Sequence, residues 1–234
     1  MFASPLALAL LLHSAAGTFA ATRYVDLNNP TPAAPYTNWA AAATNIQAAV
    51  DAAVAGDLIL VTNGVYQTGV TAVYGMNNRV AVTKPVTVQS VNGPAVTTIA
   101  GYQVPGTTNG AAAVRCVYLT NGAALAGFTL TKGATQASGN YFTNQSGGGV
   151  WCGSASAVVS NCVLTGNSAA GLGGGACFGT LKSCTLSGNS AGYGGGASSG
   201  TLNNCTLTGN SASDSGGGVD NGTLNNCIVY YNTA

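Results

Sequence analysis

Between Ser160 and Asn232 one eight-residue phrase is written four times. Ser160-Asn161-Cys162-Val163-Leu164-Thr165-Gly166-Asn167 returns at 182–189, 203–210 and 225–232, with the cysteines 22, 21 and 22 residues apart. Glycine triplets keep the same step at 173–175, 194–196 and 216–218, and an earlier one stands at 147–149. A fixed period of about 20–25 residues without a helical pattern inside it is the signature of a β-solenoid. Each unit is too small to bury its own apolar face, so it is stable only when stacked on its neighbours.

Within Cys184-Thr185-Leu186-Ser187 the alternation puts Cys and Leu on one face of a strand and Thr and Ser on the other. Cys162, Cys184, Cys205 and Cys227 are therefore expected to stack in an interior ladder beside Leu164, Leu186 and Leu207, as small hydrophobes. In-register strands hold equivalent side chains about 4.8 Å apart, more than the roughly 3.8 Å between Cβ atoms that a disulfide wants. Of the seven cysteines, Cys152 and Cys177, each just after a glycine run, are the disulfide candidates. Zinc has neither a C-x-x-C pair nor a histidine partner here.

Asn167, Asn189, Asn210 and Asn232 close the phrase, and Asn161, Asn204 and Asn226 precede the cysteines, with Ser183 in the other coil. Asparagine tolerates the left-handed conformation and bonds local backbone, so rows of it at one turn are expected to form ladders from coil to coil. Polar ligand recognition is the functional alternative. The glycine triplets lack the Lys-Ser/Thr of a phosphate loop and read as places where close coil packing excludes a Cβ. Sequence varies most at 168–172, 190–193 and 211–215, expected as loops, with Tyr193 and Asp214 as candidate ligand contacts.

Charged residues make up 5% of the chain and the net charge is +1, against about 25% charged in ordinary domains. No basic patch exists for nucleic acid. The sole histidine, His13, falls within Met1–Ala20, which reads as a secretory signal: Leu6–Leu12 is an apolar core and Thr18-Phe19-Ala20 offers a cleavage site. The protein is thus expected to be secreted or at the cell surface or outer membrane, without the imidazole that many mechanisms need.

The remaining chain, 21–234, reads as one β-helix domain, with an N-terminal cap over about 23–56 and coils from about 57 to 234. Thr44 is the expected N-cap of a helix, with Gln47 completing a capping box. Ile46, Ala49, Val50, Ala53 and Val54 make its apolar stripe, and Gly56 its left-handed stop. Such a helix would cover the open end of the first coil. Strands are expected at 23–27, 58–61, 80–82, 86–88, 97–99, 114–119 and 125–131, the last with Phe128 at the cysteine position. Gly133–Ser146 is an insertion. At roughly 22 residues per coil, the 178 residues after Gly56 give about eight coils and a rod on the order of 40 Å. The end at Ala234, without a terminal cap, reads as truncated.

The acids are five aspartates, of which only Asp214 and Asp220 lie within the repeats. They are the candidate calcium ligands, although calcium needs six to eight oxygens. No catalytic residue and no other cofactor is indicated.

Asn45-Ile46-Gln47-Ala48-Ala49-Val50-Asp51-Ala52-Ala53, followed by Gly56-Asp57-Leu58-Ile59-Leu60-Val61 and Asn63-Gly64-Val65-Tyr66, resembles the cap and first coil of secreted right-handed parallel β-helix proteins with pectate-lyase-like architecture. Gly174-Gly175-Ala176 and Leu186-Ser187-Gly188-Asn189 are similar to the G-G-A-I and F-x-x-N motifs of chlamydial-type polymorphic membrane protein repeats. The resemblance covers nearly all of the mature chain and implies an all-β, right-handed parallel β-helix with an N-terminal capping helix. Lyases of that architecture use acidic calcium ligands with an Arg or Lys base, and polygalacturonases use clustered aspartates with a histidine. Lys182 is the lone basic residue inside the phrases, with no acidic cluster facing it. The expected function is accordingly an exported non-catalytic module for adhesion or contact with polysaccharide or cell-surface glycan. The alternative is the N-terminal part of a polysaccharide lyase or glycoside hydrolase acting on pectin-like polymers, and a third reading is a structural spacer. Oligomeric state is left open.

Overall fold

The structure, a computed structural model, describes residues 20–234. The expected signal segment, up to residue 19, lies outside the described residues. Three long sheets run side by side along the molecule. Sheet A has eight strands, from Thr22–Val25 through Leu58–Val61 to Thr223–Asn225. Sheet B has seven, from Gly64–Tyr66 to Ile228–Tyr230. Sheet C has seven, opening with the hairpin Thr71–Val73/Met76–Val82 and ending at Val219–Asp220. The chain visits A, B and C in turn, and all their pairings except that hairpin are parallel. Parallel crossovers are right-handed, so the fold is a right-handed parallel β-helix.

Seven coils form rather than eight, because the early ones are long. Register along sheet A advances by 29, 37 and 34 residues (Leu58 to Thr87, Ala124 and Val158), then by 22, 21 and 22. The expected strand at 125–131 is two, Ala124–Ala126 and Thr129–Thr131, because the chain turns a corner at Gly127 and Phe128.

Three inward columns fill the coil: Ile59, Val88, Leu125, Val159, Leu181 and Leu202 from sheet A; Ile99, Leu130, Leu164, Leu186 and Leu207 from sheet B; Val80, Val117, Val150, Ala176 and Ala197 from sheet C. Each buried Leu, Ile or Val contributes about 1.5–3 kcal/mol. Cys162, Cys184 and Cys205 are buried in this core with Phe128 in the same row, and Cys227 is partly exposed.

Helix α1 (Ile46–Ala52) lies over the first coil. Its N-cap is Asn45, whose side chain accepts the Ala48 N–H at 2.8 Å, not Thr44. Gln47 closes no capping box. Its Oε1 accepts the Ala81 N–H (2.8 Å) and its Nε2 donates to the Ala81 carbonyl (3.2 Å), standing in for the missing neighbour at the edge of sheet C. Val54 is exposed because the chain leaves the helix in extended form at Ala53. Gly56 has φ +91° but lies three residues past that C-cap. Lys84 Nζ instead caps the helix end, donating to the carbonyls of Val50, Asp51 and Ala53.

The two asparagine rows differ in role. Asn161, Asn204 and Asn226, with Ser183, take φ of 50–55° at the corner between sheets A and B. Asn167, Asn189 and Asn210 point inward and are buried. The Asn167 backbone N–H and Nδ2 both donate to Asn189 Oδ1 at 3.0 Å, and the pattern repeats from Asn189 to Asn210 and from Asn210 to Asn232. Each Nδ2 also donates to a leucine carbonyl across the corner, as Asn189 does to Leu164. At the triplets the coils approach so closely that a Cβ on Gly195 would sit 2.1 Å from the Ser211 carbonyl oxygen.

Candidate functional site

Sheet C carries its chemistry on the outer face. Register aligns Ala81, Tyr118, Trp151, Cys177, Ser198 and Asp220 in one outward column along six coils. Tyr118 and Trp151 stack with centroids 5.6 Å apart and planes at 16°. Tyr74 meets both edge-on, and Phe178 meets Trp151 edge-on at 6.1 Å. Tyr74 reaches this row because it sits in the two-residue hairpin loop with Gly75, both at positive φ, as a type I′ turn demands.

Beside the row lies a trough of about 400 Å³ lined by Tyr141, Phe142, Leu172, Tyr193, Ser199, Asp220 and Asn221. Ser199 also borders a cleft of about 180 Å³ formed by Trp151, Phe178 and Ser154. Trp151 is 8% exposed, and its Nε1 is buried without a hydrogen-bond partner.

The insertion at 133–146 supplies Tyr141 and Phe142, and Arg115 fixes it in place. Arg115 is 1% exposed and donates to the carbonyls of Thr143, Ser146 and Gly147 and to Asn78 Oδ1 at 2.7–3.0 Å. Burial, with no carboxylate to offset it, lowers its pKa to about 10, so the guanidinium stays charged at neutral pH. Asn144 Nδ2 and Gln136 Nε2 tie the insertion to the hairpin through the carbonyls of Tyr74 and Gly75.

Tyr193 borders the trough, half exposed. Its segment is not a loop. Ser190–Tyr193 pairs in parallel with Ser211–Ser215, with a register break after Ala191, because segments of nearly equal length in successive coils let each N–H find a carbonyl one coil away. Asp214 stands exposed on that strip, accepting from Ser213 Oγ (3.2 Å). Asp220 accepts from Ser215 Oγ (3.0 Å) and Asn221 Nδ2 (2.9 Å). The Tyr141 hydroxyl is raised above its ordinary value, first by burial and then by the charges of Tyr193, Asp214 and Asp220. Asp214 and Asp220 are the two acids that calcium would need here, short of its six to eight oxygens. Both Asp220 oxygens are engaged, and among the described residues no three His, Cys, Asp or Glu side chains come together.

Cys152 and Cys177 are both free. They cannot bridge because Cys152 points into the core while Cys177 lies on the outer face with Trp151. Burial pushes Cys177 and Cys116 up to about 12 and Cys162 to about 11. The Cys184 thiol is raised further, by its hydrogen bond with Cys205 one coil on and then by burial. A recess of about 360 Å³ beside α1 contains Arg79, but that guanidinium is spent on the carbonyls of Gly69, Ala100 and Gly101.

The outer column is hard to see in sequence because Tyr118, Trp151 and Asp220 fall in coils of different length. The available signal was Trp151 directly after the inward Val150. The sequence matches no protein-family model and no curated protein. Two crystal structures share the fold. One is a pectin methylesterase mutant in complex with a hexasaccharide (TM-score 0.51, 14% identity), the other a pectin methylesterase with a second hexasaccharide (TM-score 0.50, 13% identity). Each comparison covers 84% of this chain and 58% of the other, so the chain spans well under two thirds of their length, and the likeness establishes the shared β-helix.

Proposed function

We propose that this chain holds a polysaccharide along the outer face of sheet C, as part of an exported carbohydrate-active β-helix protein acting on pectin-like polymers. The observation that carries the reading is the trough walled by Tyr141, Phe142 and Tyr193 with Asp220 and Asn221 at its edge. Flat aromatic faces with a few fixed polar groups are how concave sites hold ligands that are apolar on one side and hydroxylated on the other. Both structural neighbours were captured with hexasaccharides, which favours the polysaccharide-enzyme alternative over a non-catalytic adhesion module.

The test is affinity electrophoresis in gels containing pectin and, separately, neutral plant glycans. Retardation of the native chain is expected, and Tyr193→Ala and Phe142→Ala should each weaken it about tenfold. No retardation in any glycan overturns the reading. Release of unsaturated uronides or new reducing ends from pectin supports an enzyme over a spacer. Export is checked by mass spectrometry: a mature chain beginning near Ala21 is expected, and a retained Met1 peptide refutes it.

A further inference from the structure

We propose that the stacked cysteine thiols bind a soft monovalent metal ion, of the class of copper(I) and silver(I), held between two sulfurs of successive coils. Cys205 and Cys227 are the pair that loads first. The site lies in the core at the corner between sheets A and B, and it stands independently of the polysaccharide reading. Cys162, Cys184, Cys205 and Cys227 fall in one row because the strands just before and just after each of them pair in register from coil to coil. The Cys205 thiol is hydrogen-bonded to that of Cys184 on one side and that of Cys227 on the other. Cys227 is partly exposed, so an ion reaches the column there.

The coil step that is too wide for a disulfide fits a sulfur–metal–sulfur unit. A metal–thiolate bond is about 2.3 Å long, so two in line span about 4.6 Å, against a step of about 4.8 Å between coils. Thiolates select soft ions, copper(I) among them. Zinc takes four ligands around one point, whereas a straight column offers each ion two sulfurs. Among the described residues no three His, Cys, Asp or Glu side chains come together, so two-coordination is what this row can supply.

A second observation is where the backbone points. The Phe128 N–H donates to Cys162 Sγ and the Cys205 N–H to Cys227 Sγ, both at 3.4 Å. The backbone of Cys162 and of Cys184 stands in the same relation to the sulfur one coil on. Amide donors aimed at a sulfur favour the thiolate, which is the form that binds metal. Uptake is a proton exchange: two S–H bonds break, two sulfur–metal bonds form, two protons leave to solvent, and the bis-thiolate carries one negative charge. In the metal-free chain the thiol protons go to nearby carbonyls, as Cys205 Sγ donates to Asn203 O and Cys227 Sγ to Leu202 O at 3.4 Å. The positive ion takes the place of those protons, and Leu186 and Leu207 in the same core keep water out.

The probe is copper(I), delivered anaerobically to the reduced full chain from its bicinchoninate complex, with silver(I) as a redox-silent substitute. Uptake should bring a near-ultraviolet sulfur-to-metal charge-transfer band, release two protons per ion, and show two sulfur neighbours by X-ray absorption. The loaded chain should also resist alkylation at Cys227. Cys227→Ala, at the partly exposed end of the row where folding is least at risk, should weaken the first ion at least about tenfold, as should Cys205→Ala. Cys177→Ala, on the outer face, should leave uptake unchanged. No uptake of either ion by the folded chain overturns the site, as does uptake indifferent to both column variants. Three or four ligands around the metal, or zinc(II) bound as tightly as copper(I), overturns the two-sulfur assignment.

Discussion

At the residue scale the inward asparagines are the costliest to lose. Asn189 makes every hydrogen bond its amide can make: two donated, to Leu164 O and Asn210 Oδ1, and two accepted from Asn167. Asn189→Ala strands the Asn167 N–H and the Leu164 carbonyl in the core. At about 1–3 kcal/mol per unsatisfied group, a loss of roughly 3 kcal/mol is expected in urea unfolding; a loss below about 1 kcal/mol would argue against a ladder. Asp57 carries the pH dependence. Burial opposes its charge, but the N–H groups of Val54 and Ala21 and the Arg23 guanidinium at 3.0 Å outweigh that and hold its pKa below the ordinary 3.8. A depressed carboxyl stabilises the fold above its unfolded pKa and loses that contribution as pH falls through the folded value. The stability gap between wild type and Asp57→Asn should therefore be constant above about pH 5 and close below 3.8. A gap unchanged down to pH 2 would remove Asp57 from the account.

At the scale of elements, stacking decided what residue patterns left open. Ser190–Tyr193 and Ser211–Ser215 carry the turn-rich composition of loops, yet they pair because coils of 21 and 22 residues bring them level. Arg115 shows the reverse case, a single side chain holding a segment without regular structure. Arg115→Met should leave sheets A and B intact by circular dichroism while raising hydrogen exchange at 133–146 and weakening glycan retention through Tyr141 and Phe142. Unchanged exchange there would show that the insertion holds itself.

At the scale of the whole molecule the rod is a continuous core open to solvent near its last coil. Ile228, Val229 and Tyr230 are exposed and Cys227 is partly so, while Cys116, Cys152, Cys162, Cys177, Cys184 and Cys205 are sealed. An alkylating reagent at neutral pH should label Cys227 first and the other six only on unfolding, as mapped by peptide mass. Early labelling of Cys162 or Cys184 would contradict a packed thiol column.

The period by itself determined the solenoid. A step of 21–22 residues with Cys and Leu in alternate positions leaves no other way to bury those faces than to stack them. The helix was equally legible, from its stripe at Ile46, Ala49 and Val50. Of the trough the sequence pointed only to Tyr193 as a ligand contact, and the tertiary structure decided the rest. Tyr141 and Phe142 come from the insertion, Leu172 and Tyr193 from two successive coils and Asp220 from a third, so no spacing links them. In-register pairing across sheet C sets Tyr118, Trp151 and Asp220 in one column with a step of about 4.8 Å per coil, while the insertion and the strip beside sheet C bring Tyr141 and Tyr193 to it.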